Sequence, residues 1–189
     1  MSEPKILVFA GSTRAGSLNE TLASYVARQL RALGADVSHI SLKDYRMPIY
    51  DGDLEKAEGQ PEAAKNLCAL FYEHHGIFIA GPEYNGGITP LVKNTIDWIS
   101  RVEKGAVFRS RAFGLGGASE GRLGAYRSLM ATRQVLELGC NAFVQPEMIS
   151  VFYASKNYDA NGDLSDTSMQ KTARRCVDAL YANARRYMT

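Results

Sequence analysis

The sequence predicts an α/β protein built on a doubly wound parallel sheet, and two regularities of the chain carry that prediction. Short apolar runs without polar alternation recur along the chain, as in strands that are buried on both faces. Longer stretches with apolar residues at helical spacing separate these runs, and this alternation is typical of α/β folds. The chain has 189 residues without a repeat or linker, so residues 1–189 are expected to form one domain.

Five of the apolar runs are predicted to be strands. The first, at residues 5–10, reads KILVFA, and the third, at residues 76–80, reads GIFIA. The second, fourth and fifth cover residues 36–42, 111–116 and 142–152, and the fifth is expected to be interrupted near Pro146. Runs this short and apolar favour the interior of a parallel sheet over a sheet with one solvated face.

The first two predicted helices follow the first two strands. At residues 18–33, Leu22, Leu30 and other apolar residues fall on one helical face, and Gly34 ends the helix. At residues 60–75, Leu67 and Phe71 lie on such a face. The segment between the second strand and this helix, residues 43–59, contains proline and glycine and is expected to be irregular.

Three further helices are predicted in the second half of the chain. The helix at residues 89–101 tolerates Pro90 in its first turn, where the missing N–H has no helical partner anyway. A long helix at residues 122–138 is ended by Gly139, and a closing helix covers residues 165–187. Strand and helix therefore alternate to the end of the chain.

Five strands fit the flavodoxin-like order 2-1-3-4-5 better than the six-stranded dinucleotide-binding fold. In that order, ligands bind in the crevice beyond the carboxyl ends of strands 1 and 3. Two loops are therefore expected to carry the chemistry, one after Ala10 and one after Ala80.

Composition and charge exclude several classes of protein. The formal net charge is +2, so the chain as a whole lacks the electrostatic footprint of a nucleic-acid-binding protein. It contains no run of 18 apolar residues, so no membrane-spanning helix is expected. The first residues lack the layout of a signal peptide, and we expect a cytoplasmic protein.

The cysteines and histidines do not form the pattern of a metal or disulfide site. Cys68, Cys140 and Cys176 are isolated and odd in number, so buried or inert thiols are expected. His74 and His75 stand at the end of a predicted helix, where histidine is favoured by the helix dipole. No metal site is predicted.

The loop after the first strand reads GSTRAGSLN over residues 11–19. It joins a buried strand to a helix start, where free amides and the helix dipole bind anions. Three hydroxyls and the Arg14 guanidinium suit the acceptor oxygens of a terminal phosphate monoester. The alternative is a helix cap formed by Ser17, which would leave Ser12, Thr13 and Arg14 unexplained.

The loop after the third strand reads GPEYNGG over residues 81–87. Its amides can approach the polar edge of a flat heterocycle because the glycines remove Cβ clashes, and Tyr84 could lie against a ring face. The alternative is a surface turn, since proline, asparagine and glycine all favour turns, and Glu83 is also compatible with a solvated turn. A phosphate at one loop and a planar ring at the next describe FMN.

On these residues, the chain resembles the NADPH-dependent FMN reductase family, the flavodoxin-like group that includes quinone, azo-dye and chromate reductases. The stretches that carry the resemblance are residues 11–19, 42–54, 81–98 and 117–125, together with the NGDL tail at residues 161–164. The first and third are highly specific in combination. The resemblance spans nearly the whole chain.

The family pattern implies an FMN site made from three loops. The residues that match the phosphate-binding loop are Ser12, Arg14, Ser17, Leu18 and Asn19. Those that match the flavin-ring loop are Pro82, Glu83, Tyr84, Asn85 and Gly86. In the third loop, after the fourth strand, Ser119 matches the serine near the ring edge.

The third loop departs from the family pattern in two places. Glu120 replaces the proline of Ser-Pro-Gly, and Ala125 replaces the second glycine of a Gly-Gly pair. Before the fourth strand, Arg111-Ala112 replaces the usual Lys-Pro. These departures leave FMN binding intact but put the shape and charge of the substrate side in doubt.

The resemblance implies an NAD(P)H-dependent FMN oxidoreductase. Hydride would pass from nicotinamide C4 to flavin N5, and a quinone, azo compound or similar acceptor would then take two electrons in a ping-pong cycle. A non-enzymatic flavodoxin-type electron carrier is the alternative, but such carriers are usually strongly acidic. A fold that has lost its cofactor is disfavoured because both loops look complete. No catalytic side chain is assigned, since the flavin carries the chemistry.

A homodimer or homotetramer is expected, with a partner chain bordering the flavin pocket as the resemblance implies. Residues 43–59 are too long and too apolar for a solvated linker. We interpret Trp98 and Ile99 as core or subunit contacts rather than cofactor contacts. Ile96, Trp98 and Ile99 cannot all face the sheet. A two-fold interface would cover both elements. The alternative is that residues 43–59 fold back over their own chain as a lid.

Overall fold

The computed structural model describes residues 3–188, in which a five-stranded parallel sheet lies between two layers of helices. The sheet has the order β2-β1-β3-β6-β7. Its strands are β1 (Lys5–Ala10), β2 (Asp36–Ser41), β3 (Gly76–Ala80), β6 (Ala112–Ala118) and β7 (Phe143–Val151). Two short strands, β4 (Glu83–Tyr84) and β5 (Gly87–Ile88), form a separate antiparallel hairpin. With the hairpin set aside, the predicted flavodoxin-like order 2-1-3-4-5 is confirmed.

Within residues 3–188, seven α-helices connect and follow the strands. They are α1 (Leu18–Ala32), α2 (Gly52–Glu58), α3 (Glu62–Glu73), α4 (Pro90–Arg101), α5 (Tyr126–Gln134), α6 (Ala154–Asn157) and α7 (Thr167–Arg185). Short 3-10 turns cover Leu42–Asp44 and Val102–Ser110, and a π-helical turn at Val135–Gly139 extends α5. Among the helices described between residues 3 and 188, none combines the length and apolarity needed to cross a membrane.

Each face of the sheet buries its own apolar core. On one face, Ile6, Val8 and Phe78 pack against α1 and α7. On the other, Leu7 and Phe9 pack against α3, α4 and α5. Alternate side chains of β1 enter opposite cores, which explains why the strand reads as a continuous apolar run.

The last strand contains a bulge at the place where an interruption was predicted. Phe113 pairs with Val144 and Leu115 pairs with Met148, so β7 carries extra residues around Pro146. The Arg133 guanidinium donates to the Val144 carbonyl at 3.1 Å and also to that of Gln145. Backbone groups that the bulge removes from the ladder thus find a side-chain partner.

Two predicted elements are wrong in extent. Residues 43–59 are not irregular throughout, because the Asp51 carboxylate accepts a hydrogen bond from Asp53 N at 2.8 Å and starts α2. The helix predicted from residue 122 begins only at residue 126. Gly124 and Ala125 have φ angles of 53° and 64°, which no α-helix contains. Ser150 Oγ donates to the Gly124 carbonyl at 2.9 Å and holds this turn against β7.

Residues 43–59 lie on α4 of the same chain. Trp98 Nε1 donates to the Pro48 carbonyl at 2.8 Å, and Tyr50 N donates to Asn94 Oδ1 at 2.8 Å. Arg101 forms an ion pair with Glu55 at 3.0 Å. This is the fold-back alternative, and it overturns one argument for an interface. Ile96, Trp98 and Ile99 are buried within a single chain.

The three cysteines are free thiols. Cys68 and Cys176 are buried, and Cys140 is half-buried. Burial raises the pKa of the Cys68 thiol to about 11 and that of Cys176 to about 12. Such thiols are protonated and unreactive at neutral pH, as the sequence predicted.

Candidate functional site

Three loops meet at the carboxyl edge of the parallel sheet. The first, residues 11–17, follows β1; the second, residues 81–89, follows β3 and contains the β4–β5 hairpin; the third, residues 119–125, follows β6. Gly11 N donates to the Ala80 carbonyl at 2.8 Å, and Gly81 N donates to the Gly116 carbonyl at 2.7 Å. The loops therefore start side by side, in fixed register.

The first loop passes close to α4 and needs glycine there. A Cβ on Gly11 would lie 2.1 Å from Val92 Cγ2, so no larger residue fits without moving the helix. Thr89 Oγ1 donates to the Gly11 carbonyl at 3.4 Å and fixes the end of the second loop to the start of the first. Packing thus sets the spacing between the two loops.

In the first loop, Thr13 and Arg14 are exposed to a ligand, whereas Ser17 is buried. Arg14 is exposed, and its guanidinium makes no ion pair with any residue from 3 to 188. Ser17 occupies the N-cap of α1, but its side chain makes no capping hydrogen bond. The capping alternative is therefore wrong for the Ser17 hydroxyl. Ser12 Oγ accepts a 3.3 Å hydrogen bond from Arg14 N, which shapes the turn.

Leu18 and Asn19 are turned toward the protein. Asn19 is buried, and its amide bonds both backbone groups of Ala118, donating to the carbonyl and accepting from the N–H at 2.9 Å each. The Leu18 carbonyl accepts a 3.3 Å hydrogen bond from Tyr158, and its side chain packs on the core. The side chain of Asn19 thus joins the first loop to the end of β6.

The second loop is a tight hairpin. Its two central residues, Asn85 and Gly86, have φ angles of 51° and 80°, the left-handed region that two-residue hairpin turns require. The surface-turn alternative is correct as a description of this local backbone. Tyr84 is 55 % exposed and Pro82 is buried, so the hairpin stands out from the sheet edge with its aromatic ring in solvent.

Helix α5 fixes the base of this hairpin. Ser128 Oγ donates to the Pro82 carbonyl at 2.7 Å, and Arg127 N donates to Glu83 Oε2 at 3.0 Å. Burial alone would raise the pKa of the Glu83 carboxyl, but hydrogen bonds from Arg127 and Ser128 outweigh it and lower the pKa. Sequence reasoning missed both α5 residues, because nothing local in the chain relates them to Glu83.

The third loop is held between β7 and α6. Ser119 N donates to the Val151 carbonyl at 3.0 Å, and Ala154 N donates to the Ser119 carbonyl at 3.1 Å. Ser119 is half-buried, and its hydroxyl donates to the Gly121 carbonyl at 3.4 Å. Gly117 is required just before it, since a Cβ there would lie 2.8 Å from the Gly81 carbonyl oxygen.

The Glu120 departure from the family pattern has a structural explanation. Its carboxylate accepts a 2.8 Å hydrogen bond from Ser155 Oγ and a 3.4 Å hydrogen bond from Ser155 N. The charge therefore caps the start of α6. Ala125 is buried with a left-handed backbone, in the conformation that a glycine at this position would take without strain.

A cavity of about 340 Å³ lies next to the first loop. Thr13 lines it on one side, and Lys43 and Arg46 line it on the other. Lys43 and Arg46 are exposed and form no ion pair within residues 3–188. Together with Arg14, they make this side of the site positively charged, which sequence reasoning did not anticipate.

The side chains considered as metal ligands have other partners. His74 Nε2 lies 2.7 Å from Ser38 Oγ, and its Nδ1 lies 2.6 Å from the Leu70 carbonyl oxygen. His75 Nδ1 accepts a 2.9 Å hydrogen bond from Lys5 N. Within residues 3–188, no three histidine, cysteine or acidic residues are grouped as they would need to be to hold a metal ion.

The donors at this edge fit FMN. The Arg14 guanidinium, which has no ion-pair partner in the described part of the chain, the three loop hydroxyls and the uncapped helix start suit a phosphate monoester. The glycine-bearing hairpin of the second loop suits a flat ring. A sequence model of the NADPH-dependent FMN reductase family matches residues 4–155. The chain belongs to this family. It is thus an oxidoreductase of an FMN-dependent, NAD(P)H-using class.

Individual relatives agree with the family assignment over nearly the full chain. The NAD(P)H-dependent FMN reductase of Pseudomonas aeruginosa is 30% identical over 184 residues, which are 96% of each chain. The quinone reductase of Escherichia coli K12 is 28% identical over 169 residues, 88% of each chain.

Solved structures support the fold. FerB, a flavoenzyme NAD(P)H:(acceptor) oxidoreductase from Paracoccus denitrificans, superposes with a TM-score of 0.80 at 24% identity, covering 97% of this chain and 98% of its own. A flavodoxin variant from Pseudomonas aeruginosa superposes less well, with a TM-score of 0.55 at 15% identity over 96% and 99% of the chains. These similarities concern architecture alone.

Proposed function

We propose that this FMN reductase family member binds FMN across the three loops, with the phosphate at the first loop and the ring at the second and third. The observation that carries the proposal is the Arg14 guanidinium beside a helix start that Ser17 leaves uncapped. A phosphate monoester there would accept charge-assisted hydrogen bonds and would also complement the helix dipole.

The second and third loops are proposed to form the part of the site that receives the flavin ring. The left-handed Asn85–Gly86 turn, the exposed Tyr84 and the half-buried Ser119 support a ring position between these two loops. FMN, when bound, supplies hydride acceptance and two-electron transfer. The chain's own residues bind and orient it. No side chain here is assigned to proton transfer, since the Glu83 carboxylate is bonded to α5 and that of Glu120 to Ser155.

We further propose a ping-pong cycle with a nicotinamide donor and a quinone, azo compound or similar acceptor. The loops surround one edge of the sheet, so donor and acceptor would use the same opening in turn. The quinone reductase of Escherichia coli among the relatives supports a quinone as the acceptor. The positive residues Lys43 and Arg46 beside the opening favour anionic or nicotinamide phosphate-bearing substrates.

We also propose that the protein works in the cytoplasm as a homodimer or homotetramer. The argument from Trp98 no longer supports it, because this side chain is buried by its own chain. The exposed apolar residues at the start of α5 support it instead: Leu123, Tyr126 and Met130 are each more than 40 % exposed. Apolar side chains that cluster beside a site are typical of subunit contacts.

Rapid mixing under anaerobic conditions tests the function. The FMN-loaded protein is mixed with NADPH and then with a benzoquinone, while the flavin absorbance near its visible maximum is followed. We expect fast bleaching followed by full recovery. A flavin that NADPH fails to bleach, but that a reduced protein partner bleaches, would establish an electron carrier instead.

A further inference from the structure

Helix α5 and the flavin-ring hairpin are joined by an ion pair. Arg127 Nε donates to Glu83 Oε1 at 2.8 Å, and Nη2 donates to the same oxygen. The other oxygen, Oε2, accepts from Arg127 N at 3.0 Å and from Ser128 N at 3.3 Å. Both carboxylate oxygens are therefore occupied by the first turn of α5.

This arrangement removes Glu83 from direct contact with a ligand. Its side chain is only 10 % exposed, whereas that of Arg127 is 57 % exposed. A carboxylate that accepts four hydrogen bonds from one helix turn is held in one place, because a single broken bond leaves the others intact. The side chain of Glu83 therefore connects the hairpin to α5.

The hairpin needs such an anchor. It consists of two two-residue strands, and an isolated hairpin of any length is at best marginally stable in water. Its turn is left-handed at both Asn85 and Gly86. The Arg127 guanidinium lies over this turn, since a Cβ on Gly86 would be 3.5 Å from Arg127 Cζ. The same side chain therefore contacts the base and the tip of the hairpin.

We propose that Arg127 is a positioning residue, which acts through Glu83 to hold the hairpin in the shape that receives the flavin ring. This inference rests on the proposed FMN site. It assigns to Arg127 an effect on the ring and none on the phosphate, because the contacts of Arg127 are with the second loop and not with the first.

Comparing the binding of FMN and riboflavin separates an effect on the ring from an effect on the phosphate. Riboflavin has the ring without the phosphate, so Arg127→Met should weaken FMN and riboflavin by the same factor, about tenfold, as expected for a partly exposed charge-assisted contact. Arg14→Ala should weaken FMN alone. Binding is measured by quenching of flavin fluorescence on titration of the flavin-free protein. Arg127→Lys keeps the charge and should recover at least half of the loss on a logarithmic scale.

A matched control comes from α7. Arg174 pairs with Asp178 at 2.8 Å and is 56 % exposed, nearly the same as Arg127, but it lies on a helix turned away from the hairpin. Arg174→Met should leave both flavin affinities unchanged. Circular dichroism of each flavin-free variant should show the wild-type secondary structure and a cooperative melt above the assay temperature, so that a loss of binding is not a loss of fold.

A double-mutant cycle tests whether Arg127 acts through Glu83. The fold-losses for Glu83→Gln and Arg127→Met should be strongly non-additive, because either change releases the same anchor. Additive losses would overturn the proposal, as would riboflavin binding within twofold of the wild type in Arg127→Met. A loss confined to FMN would also overturn it. If wild-type protein bound neither flavin, the proposed function itself would fail, and the variants would not be needed to show it.

Discussion

The side-chain amide of Asn19 bonds both the N–H and the carbonyl of Ala118, each at 2.9 Å. This pair ties the first turn of α1 to the end of β6, and with it the first loop to the third. The two Ala118 groups are buried at the end of the β6 ladder, so the Asn19 amide takes the place of a neighbouring strand.

Asn19→Ala should therefore destabilise the protein by roughly 2–4 kcal/mol, since it leaves two buried backbone groups unpaired. Urea denaturation followed by circular dichroism measures the loss. Asn66→Ala, an exposed position on α3, is the control and should change stability by less than about 0.5 kcal/mol. A variant at position 19 as stable as this control would show that the Ala118 groups find other partners.

Arg14→Ala should weaken FMN more than riboflavin. The guanidinium is exposed at the first loop without an ion-pair partner among residues 3–188, so its contribution is expected only when a phosphate is present. The loss for FMN should be about 10- to 150-fold, the value of a charge-assisted hydrogen bond. Equal losses of affinity for the two flavins would show that the phosphate does not bind at this loop.

Glu83 should make the protein acid-sensitive. Its pKa in the folded protein lies below the ordinary value of 4.5, although burial acts in the opposite direction, because Arg127 and Ser128 stabilise the carboxylate. The carboxylate thus contributes stability fully above pH 4.5, and the contribution is lost as the pH falls through the lower folded value. The stability difference between the wild type and Glu83→Gln should shrink on acidification from pH 6 into this range. A difference that stays constant would contradict the linkage.

Acceptor choice should follow access to the ring and redox potential. We assign no acid or base of the three loops to the substrate, so we expect benzoquinones to be reduced fastest, with azo dyes and oxidised metals slower. Steady-state rates with NADPH at fixed flavin occupancy give the comparison. Strict use of a single acceptor, with benzoquinones inert, would contradict an open ring face.

The protein should sediment as a dimer or tetramer at micromolar concentration. The exposed apolar residues beside the third loop, among them Tyr126 and Met130, are the surface that we expect to be covered. Met130→Glu should shift sedimentation toward the monomer, since it places a charge in that contact. A wild-type monomer with full FMN occupancy and full reductase activity would contradict the proposal that a partner chain borders the flavin pocket.

Local patterns in the sequence predicted every strand of the main sheet, because an apolar run such as residues 76–80 has one stable environment in an α/β fold. They also predicted the first two loops, whereas the third was expected only from the family resemblance. They did not predict that Trp98 would be covered by Pro48, which lies 50 residues away, or that Glu83 would be anchored by Arg127, 44 residues away. An apolar face or an acidic residue shows that a partner is needed, but its identity depends on which distant segments the tertiary fold brings together.

The bulge in β7 has a consequence for behaviour at high concentration. Strand β7 lies at the edge of the sheet, where unpaired backbone groups can recruit a strand from another molecule. Here Pro146 has no N–H to offer, and the Arg133 guanidinium covers carbonyls of the neighbouring residues. The bulge therefore interrupts the edge, and with the Arg133 charge beside it we expect edge-to-edge pairing with another molecule to be disfavoured.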